Sequence, residues 1–134
     1  MKDETINKLL YELDDVIPPK RIGEFKAELA PLGEQAYSAI MAVPTRNAFT
    51  TLLLAIFLGF LGINRFYIKQ YLLGAAKIAL TAFTTTLFTS SSLEVPIKYG
   101  ILLLYAIIYC FDAAFSFTSC RYANLKAIRK AIYN

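Results

Sequence analysis

The distribution of charge restricts the fold of this chain more than any other sequence feature. Between Ala48 and Ser119 only six side chains of the Asp, Glu, Lys and Arg types occur: Arg65, Lys69, Lys77, Glu94, Lys98 and Asp112. Over the whole chain 57% of residues are hydrophobic and 18% charged, whereas soluble domains have about 25% charged residues. A chain whose second half is this apolar is predicted to be an all-α integral membrane protein.

Three apolar runs divide this region, at residues 48–63, 71–93 and 97–118. A membrane-spanning helix needs about 20 apolar residues, and the first run has 16. The runs predict a bundle of three apolar helices, in which interfacial aromatic residues extend the first one. The alternative is a two-span hairpin with the first run lying along the membrane interface.

The flanking regions are polar, so the sequence divides into residues 1–46, 47–118 and 119–134. Residues 3–17 carry apolar side chains at helical spacing and end at Pro18-Pro19. A second helical stretch, 20–43, is expected to bend or break at Pro31. This N-terminal region is too small, and has too few apolar residues, to form a hydrophobic core of its own. It is predicted to pack on the membrane domain or on a sister subunit, or to serve as a docking arm for another protein.

Basic residues near the ends of the runs predict the topology, because cytoplasmic loops carry an excess of Lys and Arg. The three-span arrangement puts the N-terminus outside, whereas the hairpin keeps both termini inside. Both arrangements place the Arg65–Tyr71 loop and the C-terminal tail on the cytoplasmic face. We expect a multi-pass protein of the cytoplasmic membrane of a bacterium.

The C-terminal tail has four bases and no acid between residues 121 and 134. Apolar side chains alternate with these bases, which favours a short amphipathic helix on anionic lipid headgroups. A simple positive-inside anchor is an equal alternative. No motif for nucleic-acid binding accompanies the bases, which are Arg121, Lys126, Arg129 and Lys130.

The segment from Leu58 to Gly74 joins the first two runs. Gly59 and Gly62 are three residues apart on one helix face, and small residues of this kind let helices approach closely. Gly74 is predicted to serve the same purpose. Alternatively, Gly59 and Gly62 could form a contact between copies of the chain in a homo-oligomer. Phe66 and Tyr67 beside Arg65 are typical of interfacial anchors.

Asp112 is an ionisable residue within an apolar run, which makes it a functional candidate that needs a partner. Lys77 lies six residues in from Tyr71, and Asp112 lies six residues in from Thr118. Both are therefore about 9 Å from the same end of antiparallel helices. The sequence predicts an intramembrane polar cluster of Lys77 and Asp112, with Arg65 as a second partner. The alternative is a polar element lining an ion or lipid pathway.

Hydroxyl side chains fill the second half of the middle run. At helical spacing four of them share one face: Thr81, Thr85, Thr89 and Ser92. Threonines in a span commonly bond back to helix carbonyls. In an oligomer the same stripe could line a narrow pore.

The motif from Leu54 to Gly74 resembles the core of the TM-two domain family of small two-transmembrane-helix proteins. The resemblance lies in Gly59, Gly62, Arg65-Phe66-Tyr67 and Gly74-x-x-Lys77, and Asp112 matches an aspartate near the end of the family's second helix. It implies a membrane interaction or signalling component, with no shared catalysis. The chain differs from the family at Asn64, usually aspartate or histidine, and at Lys69, usually glycine.

The most direct function from these features is interaction with a membrane-protein partner, with lipid, or with further copies of the chain. An oligomeric pore or membrane-disrupting effector is the alternative. Catalysis is not expected, because the chain has no histidine and no nucleophile-and-base motif. Neither a cofactor nor a metal site is expected. Cys110 and Cys120 are about 15 Å apart along one helix, beyond disulfide reach.

Overall fold

The computed structural model of the chain describes residues 1–133, which fold into helices joined by short turns. In chain order these helices are α1 (Asp3–Glu12), α2 (Ile22–Leu29), α3 (Gln35–Met41), α4 (Ala48–Leu58), α5 (Ile63–Tyr67), α6 (Tyr71–Thr89) and α7 (Val95–Tyr133). Short 3₁₀ turns occur at Pro19–Arg21 and Gly59–Leu61. The prediction of an all-α protein is confirmed. A bundle of three apolar helices stays a prediction.

The helices form two compact units. The first, here called the terminal unit, combines residues 1–48 with the chain from Thr118 onward, and the second, the apolar unit, is Phe49–Phe117. These limits lie close to the sequence divisions at residues 46 and 118. The structure joins the N-terminal region and the tail, which the sequence interpretation kept separate.

The N-terminal half of the terminal unit follows the apolar spacing of its sequence. Helix α1 buries Ile6 and Leu9 on one face, and the two acids of its first turn favour the positive end of the helix dipole. Helix α2 buries Phe25 and Leu29, one helical turn apart. The chain leaves helical geometry before Gln35, around Pro31, because proline cannot donate the hydrogen bond that a helix interior requires.

The tail completes this core. Leu125 and Ile128 of α7 are 2% and 0% exposed and pack with side chains from residues 1–40. The apolar face of the tail therefore contacts protein in the terminal unit. The full set of buried core residues is Ile6, Leu9, Leu13, Ile17, Phe25, Leu29, Ile40, Leu125 and Ile128.

Asn124 of α7 holds two non-helical segments of the terminal unit, one at Val16 and one at Arg46, by three hydrogen bonds. Its Nδ2 donates to the carbonyl oxygens of Arg46, at 2.8 Å, and Val16, at 3.2 Å. Its Oδ1 accepts from the Arg46 backbone N–H at 2.9 Å. Because the side chain is 1% exposed, these bonds replace water for backbone groups that would otherwise be costly to bury.

The four bases of the tail lie in different surroundings within the terminal unit. Arg129 donates to both carboxylate oxygens of Glu28, at 3.0 and 2.6 Å. Arg121 forms a longer pair with Asp15, at 3.4 Å. Lys126 and Lys130 are exposed. The tail thus presents two exposed lysines, while its two arginines contact carboxylates of the same unit.

In the apolar unit α6 and α7 form an antiparallel hairpin. Phe88 packs near Tyr99 at one end, with ring centroids 6.5 Å apart. Further along, the hydroxyls of Thr81 and Tyr105 are 2.9 Å apart. Helix α6 has 19 residues and is about 28 Å long, which matches the hydrocarbon thickness of a bilayer, about 30 Å.

Both helices of this hairpin are long and apolar enough to cross a membrane. Their large apolar side chains also point outward: Leu72 is 85% exposed and Leu103 64%. A core helix of a soluble protein would bury such side chains. The exposure therefore favours lipid as the surrounding medium.

Helix α4 is shorter, with 11 residues, or about 16 Å. The last four carbonyls of a helix have no partner within it. Two of those in α4, from Ala55 and Ile56, share the single hydroxyl proton of Tyr109, whose oxygen lies 2.8 and 2.7 Å from them. In the following turn the Phe60 carbonyl accepts from the Thr81 hydroxyl at 2.8 Å. Side chains of α6 and α7 thus provide partners where the helix ends.

The chain reverses direction at Gly62, between this turn and α5. Gly62 has a left-handed backbone with φ +69°, and a Cβ atom there would lie 2.5 Å from the Gly74 carbonyl oxygen. Glycine is required for both reasons, the backbone angle and the close approach of two backbones. The reversal lets α5 return along α7 from the level of Tyr109 to that of Ser116.

We expect Gly62→Ala to lower the free energy of unfolding by about 3 kcal/mol or more, because left-handed strain adds to a backbone clash. Unfolding of the purified protein in mixed detergent micelles measures the change. Gly100→Ala is the matched control, since a Cβ at that position in α7 meets nothing within 4 Å. The control should be neutral or stabilising by up to about 1 kcal/mol. Equal stability of both variants would contradict the close approach of Gly62 and Gly74.

Candidate functional site

A cluster of charged and polar side chains lies inside the apolar unit. Helix α5 contributes Asn64 and Arg65, directly after the reversal at Gly62. Helix α6 contributes Lys77, and α7 contributes Asp112 and Ser116. Asp112 and Ser116 are four residues apart and so lie on the same face of α7. Three helices therefore meet at this cluster.

The carboxylate of Asp112 is the centre of the cluster. Its Oδ1 accepts from Arg65 through Nε, at 3.0 Å, and through Nη2. Its Oδ2 accepts from Lys77 Nζ at 2.5 Å and from Asn64 Nδ2 at 3.1 Å. A carboxylate offers about four acceptor positions. Two cations and one amide occupy them.

A second set of hydrogen bonds holds these donors in place. The Asn64 Oδ1 accepts from Lys77 Nζ at 3.2 Å, and its Nδ2 donates to the Ser116 hydroxyl oxygen at 2.7 Å. The Ser116 hydroxyl in turn donates to the Asp112 carbonyl at 2.8 Å. Arg65 Nη1 donates to Gln70 Oε1 at 2.8 Å. Asn64 and Ser116 are fully buried, so their polar atoms rely on these protein partners.

The cluster carries two cations and one anion, a net charge of +1. The Arg65 and Asp112 side chains are 9% and 17% exposed, and a buried pair contributes only when its geometry offsets desolvation. The Lys77 ammonium also lies 5.8 Å from the centre of the Tyr109 ring, where a cation–π interaction is favourable. Chemically the arrangement joins helices through a shared carboxylate.

The structure brings together the three residues that the sequence interpretation grouped. Arg65 and Lys77 both pair with Asp112. The sequence interpretation missed the neutral partners. Ser116 could have been found from its position four residues after Asp112 on one helix face, and Asn64 from its place beside Arg65. The missed residues are Asn64, Gln70, Tyr109 and Ser116.

The glycines and aromatic residues of the segment from Leu58 to Gly74 also pack within the apolar unit. A Cβ at Gly59 would lie 3.2 Å from the Tyr109 ring, and one at Gly74 would lie 2.8 Å from the Phe66 ring. Phe66 also lies beside Tyr71, with ring centroids 6.2 Å apart. Phe66, proposed as an interfacial anchor, therefore contacts α6, while Tyr67 is partly exposed.

The three threonine hydroxyls of the proposed stripe have helix carbonyls as partners, while the Ser92 hydroxyl pairs with that of Ser90. Thr85 donates to the Thr81 carbonyl at 2.8 Å, and Thr89 donates to the Thr85 carbonyl at 3.0 Å. Thr81 faces inward, toward Phe60 and Tyr105. Ser92 lies beyond the last residue of α6. The helical part of the stripe thus ends at Thr89.

We expect Asp112→Asn to leave the protein inserted in the membrane but to lower its unfolding free energy by about 3–5 kcal/mol, because a buried cation, Arg65, and a partly buried one, Lys77, lose their counter-charge. Unfolding in detergent measures the stability, and resistance to carbonate extraction measures insertion. Glu94→Gln is the control, since Glu94 is exposed in the α6–α7 turn. Adding Lys77→Met to Asp112→Asn should recover part of the loss. Unchanged stability of Asp112→Asn would exclude a structural role for the cluster.

Comparison with known proteins supports the membrane assignment. Residues 44–91 match the family model of the TM2 domain, a range that contains α4, α5 and α6 with the Arg65-Phe66-Tyr67 motif. No match was found among curated proteins or among solved structures. The predicted resemblance is confirmed over this range. With two helices capable of spanning a membrane, the match indicates a small membrane protein whose residues 44–91 are similar to the TM2 domain.

Proposed function

We propose that this small membrane protein acts by interaction, with the terminal unit as the part that binds another protein or a further copy of the chain. The observation that carries the proposal is the internal pairing of the charged cluster. The Asp112 carboxylate accepts four hydrogen bonds from Arg65, Lys77 and Asn64. A group committed in this way holds helices together and is poorly placed to act on a substrate.

The proposed topology has two spans, α6 and α7, and both chain ends in the cytoplasm. The composition of the terminal unit supports it, because residues 1–48 and the chain from Thr118 share one core. Two segments that share a core lie on the same side of the membrane. The number of complete crossings is then even.

In this topology α4 and α5 form a short inserted hairpin that enters and leaves on the cytoplasmic side. The length of α4, about 16 Å, is well below a bilayer's hydrocarbon thickness. Irregular backbone at membrane depth is tolerated only where protein supplies its hydrogen-bond partners. Tyr109 supplies them at the end of α4, and Thr81 supplies one in the following turn.

The positive-inside rule supports the same orientation. The chain has 14 Lys and Arg residues. Lys98 lies at the far end of the α6–α7 hairpin and Lys77 lies within α6. The other basic residues belong to the terminal unit or to the segment between Arg65 and Lys69. This distribution favours a cytoplasmic terminal unit.

The topology predicts which engineered cysteines a membrane-impermeant maleimide can reach. In a Cys110→Ser, Cys120→Ala background we expect Glu4→Cys and Lys130→Cys to be labelled from the same side of sealed vesicles, and Ser91→Cys from the other side. All three positions are exposed. Labelling of Glu4→Cys and Lys130→Cys from opposite sides would contradict two spans and favour the three-span bundle.

The interaction itself predicts position-dependent cross-linking in native membranes. A photo-reactive residue at Tyr11, 86% exposed in the terminal unit, should give a discrete protein adduct. The matched control is Leu72, which is 85% exposed on α6 and should give lipid adducts only. Mass spectrometry of the adduct separates a second copy of the chain from another protein.

An ion-flux assay in proteoliposomes tests the pore alternative. We expect no flux above that of empty vesicles, because the Thr85 and Thr89 hydroxyls already bond to helix carbonyls. Flux that Thr85→Val abolishes would overturn the interaction proposal in favour of an oligomeric pore.

A further inference from the structure

The corner between α5 and α6 has an unusual backbone at Lys69. Helix α5 ends with two bonds typical of a Schellman motif: the Gln70 N–H donates to the Arg65 carbonyl at 2.8 Å, and the Lys69 N–H donates to the Phe66 carbonyl at 3.0 Å. Glycine is the usual residue at the left-handed position of this motif. Here it is Lys69, with φ +62°, the one non-glycine residue with a left-handed φ in residues 1–133. A strained residue of this kind is a candidate for a functional role.

The charge around this corner is unbalanced. Arg65, Lys69 and Lys77 carry three positive charges, and Asp112 carries one negative charge, a net charge of +2. The carboxylate of Asp112 is already occupied by Arg65, Lys77 and Asn64. The remaining charged residues of the apolar unit, Glu94 and Lys98, lie beyond the other end of α6.

If α6 crosses the membrane as proposed, Lys69 lies at the level of the lipid phosphates. Lys69 is exposed and lies two residues before Tyr71, where α6 begins. Because α6 is about as long as the hydrocarbon layer is thick, a residue just outside its end lies at headgroup level. Tyr71, 61% exposed, is typical of the same interface.

We propose that the corner between α5 and α6 binds the phosphate of an anionic phospholipid, with the Lys69 ammonium as the direct contact. The net positive charge of the cluster behind it raises the local potential for an anion. The placement of this site on the cytoplasmic leaflet rests on the proposed topology. The site differs from the tail, where both arginines contact carboxylates.

Thermal unfolding of the full-length protein in a neutral detergent, with added lipid, tests this site. We expect phosphatidylglycerol to raise the melting temperature more than phosphatidylcholine does. Lys69→Gly should melt at a higher temperature than the wild type without lipid, since backbone strain is relieved. It should also bind phosphatidylglycerol about fivefold more weakly, which corresponds to about 1 kcal/mol for one basic residue at an anionic surface.

The control variant is Lys126→Gln, which removes an exposed lysine of the terminal unit and should leave the lipid response unchanged. Lys69→Asn gives a second variant that tolerates the left-handed backbone and should behave as Lys69→Gly does. An undiminished lipid response in both Lys69 variants would overturn the proposal. An equal loss in Lys126→Gln would do so too, because it would indicate diffuse attraction to the whole protein.

Inorganic phosphate separates the two sources of the ligand group. We expect it neither to stabilise the protein nor to compete with phosphatidylglycerol at equal charge concentration, because a lipid is also held by its acyl chains. Full competition by inorganic phosphate would indicate that the site binds a free phosphate ion, and it would overturn the assignment of the ligand as a phospholipid. The detergent assay depends on neither orientation nor a protein partner. Its failure is therefore distinguishable from failure of the proposed function, which cysteine labelling and cross-linking test.

Discussion

The structure of the apolar unit depends on one carboxylate shared by two cations. Asp112 on α7 accepts from Arg65 on α5 and from Lys77 on α6. Any one of these charges alone in apolar surroundings would be destabilising by several kcal/mol. Their common carboxylate makes the arrangement cooperative, because each helix is held only when the other two are in register. A hydrophobic contact would tolerate sliding of the helices, whereas we expect this cluster to favour one relative position of α5, α6 and α7.

That register makes the reversal of the chain before α5 possible. Tyr109 lies about one turn before Asp112 on α7, and Thr81 lies one turn after Lys77 on α6. Once the two helices are aligned by the ion pair, the Tyr109 hydroxyl reaches a carbonyl at the end of α4 and the Thr81 hydroxyl reaches one in the following turn. The same alignment leaves room for Gly62 against Gly74 and for no larger residue. The packing at the glycine turn therefore depends on the same helix alignment as the charged cluster.

The level of Lys77 and Asp112 could be predicted from the sequence because the rise per residue of a helix is constant and antiparallel helices share their ends. The roles of Asn64 and Ser116 could not, because the direction of α5 depends on the reversal at Gly62. The core of the terminal unit could not be predicted from local sequence patterns either. Its core joins Leu125 and Ile128 to Ile6 and Leu9, residues more than a hundred positions apart, and amphipathic spacing does not tell which apolar faces meet.

Burial of the tail's apolar face changes where this protein can contact lipid headgroups. An amphipathic helix binds a bilayer surface by inserting its apolar side chains, but Leu125 and Ile128 are already covered by protein. Lys126 and Lys130 alone then offer charge without insertion. The corner at Lys69 combines the two requirements, since a cation lies beside exposed aromatic and aliphatic side chains at the start of α6. This difference is consistent with the roles that we propose, in which the apolar unit contacts lipid and the terminal unit binds protein.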